Sequence, residues 1–505
     1  MHFIHKFIIL LVIITTVLLS VLQSAAVSGQ SRSNTPTRKG HLIVALPTEP
    51  ATLDPIEDHS MTSHRVIQGN VLEGLVKIGR SGYPESLLAE RWVVSERGMT
   101  YKFYLRKGVK YHNGERFTAV TAKRNLERAM KTNGSSWSLI SRIEVLDQYR
   151  LVVHLNQPYS LFINKLSSGT AVMLPKKGNG PVMTFPVGTG PFKFFQWIRG
   201  DRLDLVRNKG YRDHHLPYLE KLTFKFIRDP ETRMAALKTG LVHVVRGYSG
   251  APELLQDLSL ETRYKSLIGL GTGKVILAFN NKVKPLDDPL VRRALVMAID
   301  REQLIKEAMF GYGQPIGSHW SPVTPYYVDL KNYYPFNEKM ARRLLSESGF
   351  PDGFETVIKL PRRNTTLQRT GLSLAKMLYK IGIKVKLDVL PLENWQREVM
   401  ELKNYQLAVA AHPDAWDLGL YADPEGYIGY DSERFRQAYN SALRAQNETE
   451  AAEMFGLGQR IISQDAAAGF LFTMPTITIM RSEIMNWPKD NPAKNLDLSE
   501  VWMGR

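Results

Sequence analysis

The sequence predicts a two-lobed α/β protein with mixed sheets, and three observations lead to that prediction. The chain has 505 residues, whereas a single hydrophobic core stops growing near about 250–300 residues, so we expect at least two cores. Hydrophobic residues make up 43% and aromatic residues 10% of the chain, as in ordered globular proteins. Segments with the period of strands alternate with segments of helical spacing, which is typical of α/β layers.

The predicted strands are short apolar or alternating segments. LIVAL, at residues 42–46, opens the folded part of the chain. Apolar side chains then occupy every second position in residues 100–106, 150–155 and 222–227, which is the period of a half-buried strand. Residues 66–76 instead place apolar side chains at helical spacing, so we expect a helix there.

Two helices in the middle of the chain have recognisable ends. Asp288 followed by Pro289 is an N-cap with proline at the first helical position. Asp300, with Gln303 three residues later, resembles a capping box that starts a second helix. Gly311 is expected to end that helix, because glycine accepts the backbone conformation of a helix C-terminus.

The N-terminus predicts export from the cytoplasm. Lys6 precedes an apolar run over residues 7–22, and small residues follow at 24–26. This order is that of a secretory signal peptide, which we assign to residues 1–26. A membrane anchor is the alternative, but the run is shorter than the ~20 residues that span a bilayer. Residues 27–40 are polar and rich in Pro and Ser, and we expect a flexible mature N-terminus there.

Composition excludes several classes of site. The chain contains no cysteine, which removes disulfides, thiol catalysis, zinc–thiolate sites and an N-terminal lipid anchor. The formal net charge is +17, yet basic residues run no longer than pairs and no RNA-binding or zinc-finger spacing occurs. We therefore expect a solvated basic surface and no nucleic-acid partner.

A series of motifs along the chain resembles a known family. They are TLDP at 52–55, VLEGLV at 71–76, the long block at 87–119 that ends after HNGE, PVGTGPFKF at 186–194, DPETRMAALKTG at 229–240, residues 277–305, and SGFPDGF at 348–354. In this order, after a signal peptide, they are similar to the peptide/nickel family of extracellular solute-binding proteins (family 5), the receptors of ABC importers.

The resemblance implies a large periplasmic-binding-protein fold whose two lobes close over a ligand. It implies lobe I over residues 41–270, with an extra domain inserted at approximately 75–185. Lobe II is expected over residues 271–473, and residues 474–505 are expected to return to lobe I.

The resemblance also implies the function. We expect a periplasmic receptor, monomeric, that binds peptides or peptide-like molecules and docks transiently on the permease and ATPase subunits of an importer. No cofactor is expected. An opine-like conjugate or chelated nickel is the alternative ligand. A secreted hydrolase is a remote alternative, because no GxSxG elbow, SxxK set or cysteine nucleophile is present.

Ligand specificity is expected in residues 412–435, where aromatic and charged side chains cluster. The candidate ligand-binding residues there are Trp416, Asp417, Tyr421, Tyr430 and Arg434. Peptide-binding members commonly hold the ligand amine with an aspartate four residues before the proline of an acidic-Pro pair. The pair here is Asp423-Pro424, and that position is Leu420. Asp417, three residues earlier, is the candidate replacement.

Three further candidates lie outside this segment. His59 and Met61 follow TLDP, where family members often contact the ligand, and Trp137 is a candidate pocket wall. We assign no catalytic residue. We also assign no metal ligand, because none of the 12 histidines has the spacing of an HExxH helix.

Overall fold

The computed structural model describes residues 36, 38–58, 60–95, 97–132, 137–176, 184–246, 261–362, 364–490, 492–493 and 495–504. The expected signal peptide and His59 lie outside the described residues. For Met61 the structure describes the backbone, at the first position of a helix.

A seven-stranded sheet forms the core of lobe I. Its strands, in spatial order, are Tyr264–Gly269, Thr476–Arg481, Val244–Arg246, His41–Leu46, Lys221–Phe226, Arg202–Arg207 and Phe192–Ile198. The central strand His41–Leu46 pairs in parallel with both of its neighbours, and the other pairs are antiparallel. Helices Met61–Ile67 and Pro230–Lys238 pack on opposite faces of this sheet.

Lobe II contains a five-stranded sheet. Its strands, in spatial order, are Lys384–Leu390, Glu355–Pro361, Leu407–His412, Lys274–Phe279 and Ala468–Thr473. One face packs against helices Pro289–Met297, Arg301–Met309, Glu338–Glu347 and Thr365–Tyr379, and the other against Glu433–Arg444 and Glu448–Gln464. Short helical turns lie at Leu392–Trp395, Gln396–Glu401 and Asp417–Tyr421. Side chains of the central strand, Leu407–His412, alternate between the two faces of the sheet. They therefore pack into the hydrophobic cores on both sides.

A third unit, which we call the insert, is built on a four-stranded antiparallel sheet. Its strands, in spatial order, are Ala89–Ser95, Thr100–Leu105, Arg150–Leu155 and Ile140–Asp147. Helices Ala119–Thr132 and Phe162–Leu166 and the turn Gly169–Ala171 pack with it. Two small antiparallel two-stranded sheets are also present, pairing Val76–Ile78 with Pro84–Ser86 and Ile484–Met485 with Trp502–Met503. No described helix is long and apolar enough to cross a membrane.

Local capping decides where the helices of lobe II begin. The Asp288 carboxylate accepts a hydrogen bond from Leu290 N at 2.8 Å, and Asp300 accepts one from Gln303 N at 3.0 Å. The reciprocal half of the expected capping box does not form, because the Gln303 side chain donates to Glu307 instead. The second helix ends at Met309, before the predicted glycine, because Phe310 itself takes a left-handed φ of 56°.

The prediction of a helix over residues 66–76 is wrong. The helix spans Met61–Ile67, and a turn and a short strand, Val76–Ile78, follow it. Its N-cap is Ser60, whose side chain accepts a hydrogen bond from Ser63 N at 3.2 Å. The apolar spacing of 66–76 has another cause, since its buried residues pack into both the lobe I core and the insert core.

Two neighbouring connections join the lobes. The chain leaves the lobe I sheet after Gly269 and enters the lobe II sheet at Lys274, and it returns between Thr473 and Thr476. A Cβ on Gly269 would lie 1.8 Å from the carbonyl oxygen of Lys489, so only glycine fits at this crossing. A pair of short connections is the arrangement about which two lobes rotate as rigid bodies.

Candidate ligand-binding cleft

A cavity of about 350 Å³ lies where lobe I, the insert and lobe II meet. Lobe I contributes His64 and Gln68, and the insert contributes Lys165 and its neighbours. Lobe II contributes Thr272 and Trp416. A space bounded by both lobes and located beside their connections changes in volume when the lobes rotate.

The lobe II wall of this cleft is aromatic. Trp416 is partly exposed to the cleft and packs edge-on against buried Trp320, with ring centroids 5.4 Å apart. Tyr326 supports it from another side at 6.1 Å. Fixed aromatic rings of this kind supply apolar contact area with little loss of side-chain entropy.

The opposite wall is polar and carries a cation. The Gln68 amide donates to the carbonyl of Ser167 at 2.6 Å and thereby ties lobe I to the insert. Lys165 lies beside them, with its ammonium 5.1 Å from the centre of the Trp137 ring. Burial lowers the pKa of Lys165. Trp137 itself is only 2% exposed, so it supports Lys165 from the core of the insert.

A buried polar network lies behind Trp416. Lys274, which is fully buried, donates to Asp417 Oδ1 at 2.5 Å. The other carboxylate oxygen lies 3.3 Å from His319 Nε2 and 3.5 Å from His412 Nδ1. Burial acts to raise the pKa of Asp417, but the interactions with His319, His412 and Lys274 outweigh it and hold that pKa well below its usual range.

Two tyrosines orient the histidines of this network. Tyr421 shares a hydrogen bond of 3.0 Å with His319 Nδ1, and Tyr427 shares one of 2.7 Å with His412 Nε2. Burial is the main cause that lowers the pKa of His319 to about 3, so its imidazole is neutral at physiological pH.

The network also has the donor set of a metal site. The donor atoms of His319, His412 and Asp417 all lie within 4.8 Å of one another. Tyr421 and Tyr427 hydrogen-bond to the other ring nitrogens of the two histidines, and metal-binding histidines are commonly oriented in this way. The Lys274 ammonium on the same carboxylate opposes a divalent cation. The arrangement therefore reads as an ion pair between Lys274 and Asp417 that is flanked by His319 and His412.

Comparison with known proteins identifies the family. The profile described as "Bacterial extracellular solute-binding proteins, family 5 Middle" matches residues 84–432. The chain belongs to this family. It is similar to the glutathione-binding protein GsiB of Salmonella choleraesuis, with 31% identity over 361 residues that cover 69% of each chain. The same protein of Escherichia coli K12 is 30% identical over 361 residues.

Solved family structures share the fold. The periplasmic binding protein DppA from Helicobacter pylori, in complex with the peptide STSA, is 24% identical with a TM-score of 0.74, covering 92% of this chain and 98% of its own. AgaA from A. tumefaciens R10, in complex with agropinic acid, is 25% identical with a TM-score of 0.73, covering 92% and 99%. The two-lobed α/β fold expected from the sequence is thereby confirmed.

The structure places the other sequence candidates outside the cleft lining. Tyr421 is buried behind Trp416 in the Asp417 network. Tyr430 donates to the Asp465 carboxylate at 2.6 Å. Arg434 lies on an exposed helix surface and donates to Gln464 at 3.0 Å. Among the sequence candidates that the structure describes with side chains, Trp416 alone lines the cleft.

Sequence reasoning missed several cleft residues. His64 and Gln68 lie one helical turn apart and share a hydrogen bond of 3.1 Å, and this spacing is visible in the sequence. Lys165 and Thr272 carry no local motif, so only the fold brings them to the cleft.

Proposed function

We propose that this chain is the periplasmic receptor of an ABC importer and that it binds a peptide or peptide-like small molecule between its lobes. The observation that carries the proposal is the cleft, which both lobes line beside their two connections. Ligand contacts from both lobes favour the closed arrangement, and closure presents one joint surface to the permease. The chain then supplies recognition, and the ATPase subunits supply the energy of transport.

The ligand class is supported by the relatives. GsiB binds glutathione, and the H. pylori protein was solved with the peptide STSA. A cavity of about 350 Å³ falls within the roughly 300–1,000 Å³ that is common for small-molecule sites. The mixture of an aromatic wall with polar and cationic groups suits a short peptide.

A ligand without a free amine is the second candidate. Asp417, the proposed amine partner, already accepts a hydrogen bond from Lys274 at 2.5 Å, so a ligand ammonium has to share that carboxylate. AgaA, which is 25% identical, was solved with agropinic acid. An opine-like conjugate fits the same cleft without needing an acidic partner for an amine.

Calorimetry combined with small-angle scattering tests the receptor function. Protein freed of co-purified ligand is titrated with reduced glutathione and with trialanine, and the radius of gyration is measured before and after saturation. We expect saturable binding, a smaller radius and no turnover of the peptide. Saturable binding at an unchanged radius contradicts closure, and hydrolysis of either peptide contradicts a pure receptor role.

A further inference from the structure

Arg246 is a buried cation with no counter-charge among the residues that the structure describes. Arg246 ends the strand Val244–Arg246 of lobe I and is 1% exposed. All three nitrogens of its guanidinium are shielded from solvent, and none of them donates a hydrogen bond to any residue that the structure describes. A guanidinium has five N–H donors. Arg246 therefore places five donors in the core without an acceptor among the described residues.

Two other buried arginines, Arg292 and Arg301, do have hydrogen-bond acceptors. Arg292 donates to the carbonyls of Ala466 at 3.1 Å and of Leu286 at 2.8 Å. Arg301, which is also buried, donates to the carbonyl of a lobe II strand at 2.7 Å. Backbone carbonyls thus accept hydrogen bonds from the guanidinium groups of Arg292 and Arg301. Arg246 differs from both.

A second arginine increases the positive charge at this point. Val244 packs in the lobe I core beside the helix Met61–Ile67, and side chains two apart on a strand share a face. Arg246 therefore projects towards that helix, which carries Arg65. The Nε atom of Arg65 is also buried, and it has no hydrogen-bond acceptor among the described residues.

The charge of Arg65 acts on the pKa of Arg246. Burial lowers the pKa of Arg246 to about 9, and the charge of Arg65 adds to that effect. Burial alone lowers the pKa of Arg65. Even so, Arg246 stays protonated at physiological pH, and an unpaired buried charge is among the most destabilising arrangements in a protein.

The pair lies behind the cleft wall, since His64 lines the cavity and neither arginine does. Arg246 stands at the carboxyl end of a strand that runs parallel to His41–Leu46, and ligands of open α/β sheets bind at the carboxyl ends of parallel strands. Arg65 immediately follows His64, which lines the cleft. A carboxylate matches the planar fork of a guanidinium and neutralises its charge.

We propose that Arg246, assisted by Arg65, forms an anion subsite that receives a carboxylate of the transported ligand. This assignment rests on the receptor function proposed above. It further specifies that the ligand group bound by lobe I is negatively charged. A carboxylic acid is therefore the required chemical feature of the ligand, whatever its remaining structure.

Thermal unfolding of the ligand-free protein provides the first test. Arg246→Met removes an unpaired buried cation, so we expect the Tm to rise by about 2 °C or more. Arg292→Met is the matched control and should lower the Tm, because it deprives backbone carbonyls of their donor. Acetate and sulfate, compared with chloride at equal ionic strength, should raise the Tm of the wild type and not that of Arg246→Met. A Tm that falls with Arg246→Met as it does with Arg292→Met contradicts an unpaired cation.

Calorimetry with matched peptides provides the second test. Trialanine and reduced glutathione are compared with derivatives in which their carboxyl groups are amides. We expect amidation to weaken binding to the wild type at least tenfold, and Arg246→Met to remove that preference. Arg65→Met, at a less buried position, should reduce the preference for acids over amides. This variant replaces Arg246→Met in the test if Arg246→Met does not fold.

The outcomes separate the two proposals. Equal affinity of acids and amides for the wild type overturns the subsite and leaves the peptide receptor standing. Stabilisation by acetate and sulfate that depends on Arg246, without binding of either peptide, supports the subsite and overturns the peptide ligand class. Anion stabilisation that persists in both arginine variants, or no response to any of these probes, overturns the subsite.

Discussion

Replacing Lys274 by methionine should destabilise lobe II strongly. Lys274 is fully buried and Asp417 keeps 20% of its side chain exposed, so the variant leaves a largely buried carboxylate without its cation. Breaking a buried ion pair by removing one partner costs about 3–5 kcal/mol. Because Asp417 keeps some access to water, we expect the lower end, about 3 kcal/mol of unfolding free energy at pH 7.

The loss of unfolding free energy caused by Lys274→Met should become smaller at lower pH. In the wild type the pKa of His319 is lowered to about 3 from 6.5, by burial first, with the charge of Lys274 adding to the effect and Asp417 opposing it. The unfolded state therefore takes up this proton first, and wild-type stability declines as the pH falls below about 6.5. Without Lys274 the pKa of His319 rises, and its imidazolium can pair with Asp417. The difference between wild type and variant should narrow between pH 7 and pH 5.

Urea unfolding followed by tryptophan fluorescence measures both effects, since Trp320 and Trp416 lie beside the network. Asp417→Asn is the matched variant that leaves the lysine unpaired, and the double variant should recover part of the summed loss. A loss below about 0.5 kcal/mol at pH 7, or a difference that widens towards pH 5, refutes an energetically coupled network.

Three further predictions concern the ligand and the pH profile. If Asp417 holds a ligand amine, Asp417→Asn should weaken trialanine at least tenfold in calorimetry and leave N-acetyl-trialanine unchanged; equal effects on both contradict that role. Trp416→Ala should weaken peptide binding about tenfold, since a stacking wall is worth about 1 kcal/mol or more, whereas Tyr379→Ala on an exposed surface should not. Burial lowers the pKa of His112 to about 4 despite its hydrogen bond to Gly190, so thermal stability should fall as pH drops from about 6.5 to 4. His112→Gln should flatten that part of the profile, and an unchanged profile contradicts the assignment.

The sequence predicted those parts of the fold that depend on neighbouring residues. Asp288 and Asp300 cap their helices as expected because a cap needs only residues two or three positions away. The helix predicted over 66–76 failed because its apolar spacing serves two different cores. The predicted segment boundaries and site residues stay predictions.

The cleft could be predicted only in part, because its chemistry depends on distant contacts. Trp416 was found by its aromatic segment, whereas Lys274 reaches Asp417 across 143 residues of sequence. Nothing beside Arg246 marks it in the sequence, since the preceding residues read as an ordinary buried strand. The lack of hydrogen-bond acceptors for its guanidinium among the described residues is a property of the folded structure.

The placement of the charges has a consequence for selectivity. If Arg246 receives the ligand carboxylate, an uncharged analogue leaves the guanidinium buried and unpaired, and sites built to bind a polar group reject analogues that lack it. The lobe II wall around Trp416 offers apolar contact area, which is compatible with many ligand side chains. On the proposed assignment, lobe I selects the ligand by its carboxylate, and the Trp416 wall of lobe II selects it by its apolar surface. Because these contacts lie on different lobes, a ligand that satisfies both stabilises the closed receptor more than a ligand that satisfies only one.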